Sequence, residues 1–254
     1  MSSDYQALIM PASENNRLYN LHIFCDFDGT ISGRDIGFDL FDRFGTQEPW
    51  NTQLMERTLG IREYWRAMAR GLREPLSNDL LDEYLRSIPI DPGFNDLLDL
   101  VREEGYPFTV VSDGFDLYIR RYLELNCVEH LDIYCNHAEL DEYGVMTMSF
   151  PNAAEGCNCI CATCKRNVVL RLAHPESRIV YIGDGVSDEC PAEHADIIFA
   201  KGKLAAYCNA QRLPHYPFKT LGDVARQMRL LLERRRIKSR YQAGLRRKGV
   251  WEGE

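Results

Sequence analysis

No apolar run in this chain reaches the roughly 18 residues of a membrane-crossing helix, so no membrane span is expected. The first twenty residues, MSSDYQALIMPASENNRLYN, lack a basic stretch followed by a long apolar core, and no secretion signal is read there. Internal repeats and low-complexity linkers are missing too, which argues against a repeat architecture. An even set of cysteines in a short chain would suggest a disulfide framework. Here nine cysteines are spread over 254 residues, so reduced thiols and a cytoplasmic setting are expected.

Positive charge is in short supply: 30 Lys and Arg stand against 38 Asp and Glu, a net charge of -8. The deficit is uneven. From Arg226 onward ten basic residues meet three acidic ones, near +7, which leaves about -15 on the rest. An acidic body argues against broad nucleic-acid binding. The basic tail (Arg234, Arg235, Arg236, Lys238, Arg240, Arg246, Arg247 and Lys248) leaves contact with nucleic acid or anionic lipid as a minor reading. The plainer reading is a frayed, solvated helix end, where cations suit the helix dipole. With 45% apolar and 27% charged residues, the chain fits one large domain or a core domain with a small cap.

What the chain does contain is LHIFCDFDGTIS. Leu21 to Cys25 is a short apolar run ended by a turn signal, the pattern of a parallel strand buried on both faces. Its end delivers Asp26 and Asp28, with Gly29 allowing a sharp turn. Two acids this close repel each other, and a divalent cation is the natural way to keep both ionised. A carboxylate beside a metal, with a second acid in reach, is equipped to take a phosphoryl group and release it to water.

Helical spacing follows over Asp35 to Phe44, Trp50 to Leu72 and Leu76 to Ile88, a block that separates the first strand from the next. Pro92 to Glu104 is a returning helix and Phe108 to Val111 a second strand. Helices are expected over Phe115 to Leu125, Thr163 to Leu172, Pro191 to Ala195 and Leu221 to Arg236, and strands over Leu131 to Cys135, Arg178 to Ile182 and Ile197 to Ala200. Tyr143-Gly144 reads as a hairpin tip before Val145 to Phe150. The alternation predicts an α/β fold, a doubly wound parallel sheet with an inserted α-helical cap. The expected division is a core of residues 21–34 and 91–225, a cap of 35–90, and a C-terminal helix with basic tail over 226–254.

Three further candidates stand at strand ends or helix starts. Ser112-Asp113-Gly114 offers a hydroxyl and amides for phosphate oxygens; Lys165 would neutralise charge; Asp184 and Asp188, after an apolar strand, repeat the logic of the first pair. The order acid pair, Ser, Lys, acid pair resembles the haloacid dehalogenase (HAD) superfamily of phosphatases. The stretch from about Phe24 to Val224 resembles its phosphoserine-phosphatase-like branch. Within that branch it most resembles the 2-hydroxy-3-keto-5-methylthiopentenyl-1-phosphate phosphatases of methionine salvage. Thr58 to Glu63, Ile133 to Ala138, Cys164-Lys165, Tyr181 to Asp184 with Ser187-Asp188, and Ile198 to Lys201 with Leu204 carry this resemblance.

The resemblance implies a HAD-like Rossmannoid core and a Mg2+-dependent phosphomonoesterase. By it, Asp26 is the nucleophile that forms an aspartyl-phosphate, and Asp28 the general acid and base. The Asp26 carboxylate, the Asp28 carbonyl and Asp184 hold Mg2+, with Asp188 orienting a water of the ion. Ser112, Gly114 and Lys165 hold the phosphate. Phosphoserine phosphatases carry a Glu where this chain has Asp35, which fits an amino-acid substrate poorly. Other readings stay open: phosphoserine, phosphocholine, phosphoethanolamine or another small phosphomonoester as substrate, or a catalytically idle HAD fold that binds a partner through its tail.

Cys157, Cys159, Cys161 and Cys164 put four thiols just before Lys165. The count suits tetrahedral Zn2+, although only Cys161 and Cys164 have the usual knuckle spacing; a bound ion would brace the loop that presents Lys165. His137 reads as a structural hydrogen-bonder. Tyr64, Trp65 and Met68 are expected either to line a substrate pocket or to pack the cap, and Arg62 and Arg66 either to meet a second anionic group or to face solvent.

Overall fold

The computed structural model describes residues 20–73, 75–154 and 161–251. The apolar run Leu21–Cys25 forms β1, at the centre of a seven-stranded sheet. Beside it lie β2 (Phe108–Phe115) and β5 (Arg178–Gly183), both parallel to it. Outward from β2 come β3 (Asp132–Leu140) and β4 (Met146–Ser149); outward from β5 come β6 (Ile197–Ala200) and β7 (Tyr216–Pro217). Five pairings are parallel. The predicted hairpin at Tyr143-Gly144, with Gly144 at φ +75°, makes β4 an antiparallel edge, so the sheet is mixed rather than wholly parallel.

Side chains alternate across the sheet. Leu21, Ile23 and Cys25 of β1, with Val180 and Ile182 of β5, face one core; Phe24, Ile179 and Tyr181 face the other. The first core is covered by α5 (Phe94–Glu104), α6 (Asp116–Leu125) and α10 (Leu221–Glu233). The second is covered by α7 (Lys165–Leu172), α8 (Glu189–His194) and α9 (Gly202–Ala210).

Between β1 and α5 stand α1 (Ile36–Phe44), α2 (Trp50–Met55), α3 (Ile61–Arg70) and α4 (Asn78–Arg86). Asp35 caps α1 by accepting the Phe38 N–H, and Ser77 caps α4 through the Leu80 N–H. The helix expected over Trp50 to Leu72 is broken. Arg57 takes φ +58° and Gly60 is extended, so α3 starts afresh at Ile61. The inserted block leaves and returns through one point: Ser32 bridges Ile90, Gly33 N donates to Pro89 O (2.9 Å), and Asp91 N to Ile31 O (2.9 Å).

Three elements were not legible in the sequence: the two-residue edge strand β7 and two helices. Helix α9 has no strong apolar periodicity, burying only Leu204 and Cys208. The tail does not fray from α10: Arg235 sits at φ +51°, and a separate helix α11 (Tyr241–Trp251) docks on α8. Arg240 donates to the carbonyls of Ala192, Glu193 and Ala195, and Arg247 to His194 O, so two tail cations satisfy the open end of α8. Among the described residues no helix is long and apolar enough to cross a membrane.

Arg240→Ala strands three carbonyl acceptors and should cost ~2 kcal/mol, read as a lower urea midpoint. Arg246, half exposed and paired with Glu193, is the control; its loss should cost about 0.5 kcal/mol or less.

Candidate active site

The strand order doubles back at β1, and the crevice at the carboxyl ends of β1, β2 and β5 is where such sheets bind ligands. Asp26 continues β1, its N–H donating to Ile182 O at 2.9 Å, and its carboxylate is buried. The chain turns at Gly29, φ +75°. A Cβ there would stand 2.7 Å from Asp184 Oδ2, so only glycine lets the first acid loop approach the second. Thr30 Oγ1 donates to Asp184 Oδ1 (2.8 Å) and fixes that approach. One oxygen from each of Asp26, Asp184 and Asp188 lies within 4.8 Å of the others.

Lys165, 1% exposed, reaches into this cluster from the first turn of α7. Its Nζ donates to Asp26 Oδ1 (2.6 Å) and Asp188 Oδ1 (2.7 Å). Asp188 is saturated: Oδ1 also accepts the Tyr181 hydroxyl (2.7 Å), and Oδ2 accepts the N–H groups of Asp184 (3.0 Å) and Gly185 (2.9 Å). Burial alone would raise Asp188, but Lys165 and these donors outweigh it and hold the carboxyl below its ordinary range. Burial alone would lower Lys165; Asp188 and Asp26 reverse that and hold it charged. Burial and the Asp188 charge push Asp26 well up, and they push Asp184 up as well.

The charges explain these directions. Three carboxylates surround one ammonium, so full ionisation would leave two negative charges unbalanced, which is why burial and mutual repulsion push Asp26 and Asp184 up. All the available donors are oxygens. A hard divalent cation of the Mg2+ type fits both the charge and the donor set. Asp26 and Asp184 have ligand capacity to offer, whereas Asp188 is taken up by its four donors.

Asp28 points the other way. Its carboxylate accepts from Ile36 N (2.9 Å), Tyr118 Oη (2.8 Å) and Ser112 Oγ (3.3 Å). Burial, then the Asp35 charge, raise it to about 7. Ser112 is fully buried and accepts the Gly114 N–H (2.9 Å). A side chain at Gly114 would collide with Tyr118 Oη and Asp28 Oδ2.

The seven predicted positions are thus brought together: Asp26, Asp28, Ser112, Gly114, Lys165 and Asp184 line one cavity of about 610 Å3, and Asp188 stands behind it. Phe38, Leu54, Met55, Ile61, Tyr64 and Trp65 form its apolar wall, and Asp35, Asn51 and Lys203 add polar groups. Met68 belongs to the core. His137 lies off the cavity between Asp116 (2.7 Å) and Glu139 (3.1 Å), and Arg66 pairs with Glu63 and stacks on Phe150. Cys157 and Cys159 lie outside the described residues; Cys161 is half-buried and Cys164 buried just ahead of Lys165. Sequence reasoning missed Tyr118, Thr30 and Tyr181. Tyr118 carried a signal, since it sits one helical turn beyond Gly114 and can reach back over it.

The model of the family described as "Putative Phosphatase" matches residues 21–206. The chain belongs to that family. It is 32% identical over 215 residues to a 2-hydroxy-3-keto-5-methylthiopentenyl-1-phosphate phosphatase of an Exiguobacterium species, covering 82% of this chain and 97% of the relative. The enzyme of that name from Bacillus cereus is 27% identical over 217 residues, covering 84% and 98%. Among solved structures, a phospho-aspartyl intermediate analogue of phosphoserine phosphatase superposes with TM-score 0.56 at 16% identity, covering 85% of this chain and 98% of that one. A probable phosphoserine phosphatase from Vibrio cholerae gives 0.62 at 16% identity, covering 86% and 68%. The fold is that of the HAD phosphatases.

Because three acids share one ammonium and resist full ionisation together, Mg2+ should raise the melting temperature, by about 2.7 kcal/mol of stability at a hundred times Kd. Asp184→Asn should weaken that response without lowering the metal-free Tm. A scan in EDTA and in Mg2+ reads both; an Asp184→Asn protein that responds to Mg2+ like the wild type would refute the ligand assignment.

Proposed function

We propose that this protein is a Mg2+-dependent phosphomonoesterase that works through an aspartyl-phosphate on Asp26, with 2-hydroxy-3-keto-5-methylthiopentenyl-1-phosphate as its substrate. The observation that carries the reading is the buried Asp26–Lys165–Asp188 bridge beside Asp184, with Asp28 facing the same cavity.

Asp26 Oδ1 is occupied by Lys165 and the Phe27 N–H (2.7 Å), so Oδ2 is the attacking atom. As its bond to phosphorus forms, the bond from phosphorus to the ester oxygen breaks, and Asp28 gives its proton to the leaving oxygen. Asp28 then takes a proton from water, whose oxygen displaces Asp26 and frees inorganic phosphate. Lys165, Ser112 and the Gly114 amide hold the phosphoryl oxygens. Asp26, the Asp28 carbonyl and Asp184 would hold Mg2+, which supplies neutralisation of charge on the nucleophile and the phosphoryl group.

Residues 35–90 act as the cap over a core of 21–34 and 91–225; α10 runs across the expected boundary at 226 and packs on that core, so the appended part begins after α10. The single crossing at Ser32 and Ile90 supports that division. The cap contributes the apolar side of the cavity, which suits a thioether tail better than the ammonium and carboxylate of phosphoserine. A second reading draws on Asp35 and Asp113 at the cavity together with Tyr64 and Trp65. Carboxylates and aromatic faces together suit a quaternary ammonium such as that of phosphocholine. The absence of a long apolar helix among the described residues and the reading of the cysteines as thiols favour a cytoplasmic setting.

A panel of these phosphomonoesters at equal concentration, read as kcat/KM, decides the substrate; a preference for phosphoserine would overturn the thioether assignment. Asp26→Asn should lower kcat more than about a thousandfold. It should also leave the Tm in EDTA unchanged or higher, because it removes a charge the metal-free site disfavours. The Tyr118 hydroxyl stabilises ionised Asp28, so Tyr118→Phe raises the Asp28 pKa further. Protonated Asp28 is the form that protonates the leaving group, so activity falls as pH rises through that pKa, and the variant's alkaline limb should move to higher pH.

A further inference from the structure

The segment Ile133 to Ala138 carries no group that enters the cavity, yet Asn136 on β3 is fully buried and bonded through both ends of its amide. Its Nδ2 donates to Asp113 O (2.7 Å), and its Oδ1 accepts the Thr163 hydroxyl (3.0 Å). Asp113 belongs to the part of β2 that bulges between Val111 and Phe115, where Ser112 and Gly114 sit. Thr163 stands two residues before Lys165. Asp113 makes the same crossing with its side chain: Oδ1 accepts the N–H groups of Ala162 and Thr163, each at 2.6 Å. The next amide, Cys164 N–H, donates to Asn152 O (2.8 Å), and Asn152 Nδ2 donates to Cys135 O (3.3 Å), one residue before Asn136. Of three consecutive amides leading into Lys165, two are therefore tied to β2 directly and the third to β3 by way of Asn152.

We infer that Asn136, Asp113 and Thr163 are positioning residues, a buried strut that fixes the Lys165 ammonium relative to the Ser112–Gly114 phosphate cradle. The inference rests on the phosphatase reading of the site. The physical case is one of tolerance. Lys165 has four rotatable side-chain bonds, and Nζ must sit 2.6–2.7 Å from two carboxylates while a phosphoryl group docks on the other side. Asp26 and Asp188 fix only the tip of that side chain. Its base is fixed by the loop, and the strut holds the loop. A displacement of the order of 1 Å at a charge-neutralising group can cost about a hundredfold in rate. Asn is suited to the junction because one amide both donates to a carbonyl and accepts from a hydroxyl.

Thr163→Val keeps the shape of the side chain and deletes only the hydrogen bond to Asn136; Thr163→Ser keeps the bond. With Mg2+ and p-nitrophenyl phosphate, Thr163→Val should lower kcat about tenfold or more, while Thr163→Ser keeps at least half of it. The inhibition constant of inorganic phosphate should weaken in step with the Thr163→Val loss. A strut acting through the lysine is coupled to it, so Thr163→Val should add less than about twofold in a Lys165→Arg background. Asn136→Asp, which keeps the acceptor and loses the donor, should behave like Thr163→Val. The strut is overturned by a Thr163→Val enzyme within twofold of wild type, by equal losses in Thr163→Ser and Thr163→Val, or by an undiminished loss in Lys165→Arg. A wild-type chain that hydrolyses no phosphomonoester would refute the phosphatase reading alone. The same coupling is then read from calorimetric titration of inorganic phosphate, where Thr163→Val binding as tightly as wild type overturns the strut.

Discussion

One ammonium group holds the centre of this molecule together. Lys165 Nζ bridges Asp26, from the first strand, and Asp188, from the loop after the fifth, while its own backbone starts α7. Nothing local favours it there. A lysine in the first turn of a helix opposes the helix dipole, and burying it removes water from a strongly hydrated charge. Two carboxylates offset both penalties. They do so incompletely, because Asp184 adds a third negative charge that no described cation neutralises by direct contact. Replacing buried ion pairs by apolar residues is often neutral or stabilising. A buried cluster with three carboxylates to one ammonium is therefore not explained as a stability device. It makes sense as a site built to be completed by a cation and an anionic ligand.

The rest of the fold is arranged to permit that cluster. β1 and β5 end nearly level, with Cys25 opposite Ile182, so acids placed just beyond them converge across the sheet without long loops. The closest approach depends on Gly29, where any Cβ would meet Asp184. The two halves of the cavity differ in chemistry. The strand ends supply charge and hydrogen-bond donors, and α1 to α3 supply an apolar wall. Asp28 sits where the two meet: its carboxylate is bonded both to Ile36 N at the start of α1 and to Tyr118 of the core. That carboxyl therefore takes its hydrogen bonds partly from the inserted helices and partly from the core, so its acidity depends on how the two are packed together.

The acid pairs were legible in the sequence because each follows a short apolar run ended by a glycine turn, the pattern of a buried strand, and because the two pairs repeat one another. Lys165 became legible through its order between Ser112 and Asp184. Other features were decided by tertiary context. The break between α2 and α3 turns on Arg57 adopting a left-handed conformation that arginine does not advertise. Tyr118 carried a spacing signal, one helical turn beyond Gly114, but only the fold shows its hydroxyl on Asp28. Asn136 and Thr163 are polar residues of ordinary type; their importance lies in being buried together, which no spacing rule reports.

The tail is the clearest case of sequence misdirection, and it bears on the site. The run of arginines reads as a solvated end because charge runs usually are. Arg240 and Arg247 are instead drawn down onto α8 by its unsatisfied carbonyls and by Asp196, whose carboxylate also accepts the Ile179 N–H at the start of β5. Helix α8 begins directly after Asp188, and β5 ends directly before Asp184. The C-terminal helix, beyond the stretch that matches the family, thus clamps the far ends of the two elements that flank the second acid pair. A loop held at both ends by braced elements is stiff, and stiffness is what a saturated carboxylate such as Asp188 requires, because each of its four donors must arrive within a few tenths of an ångström.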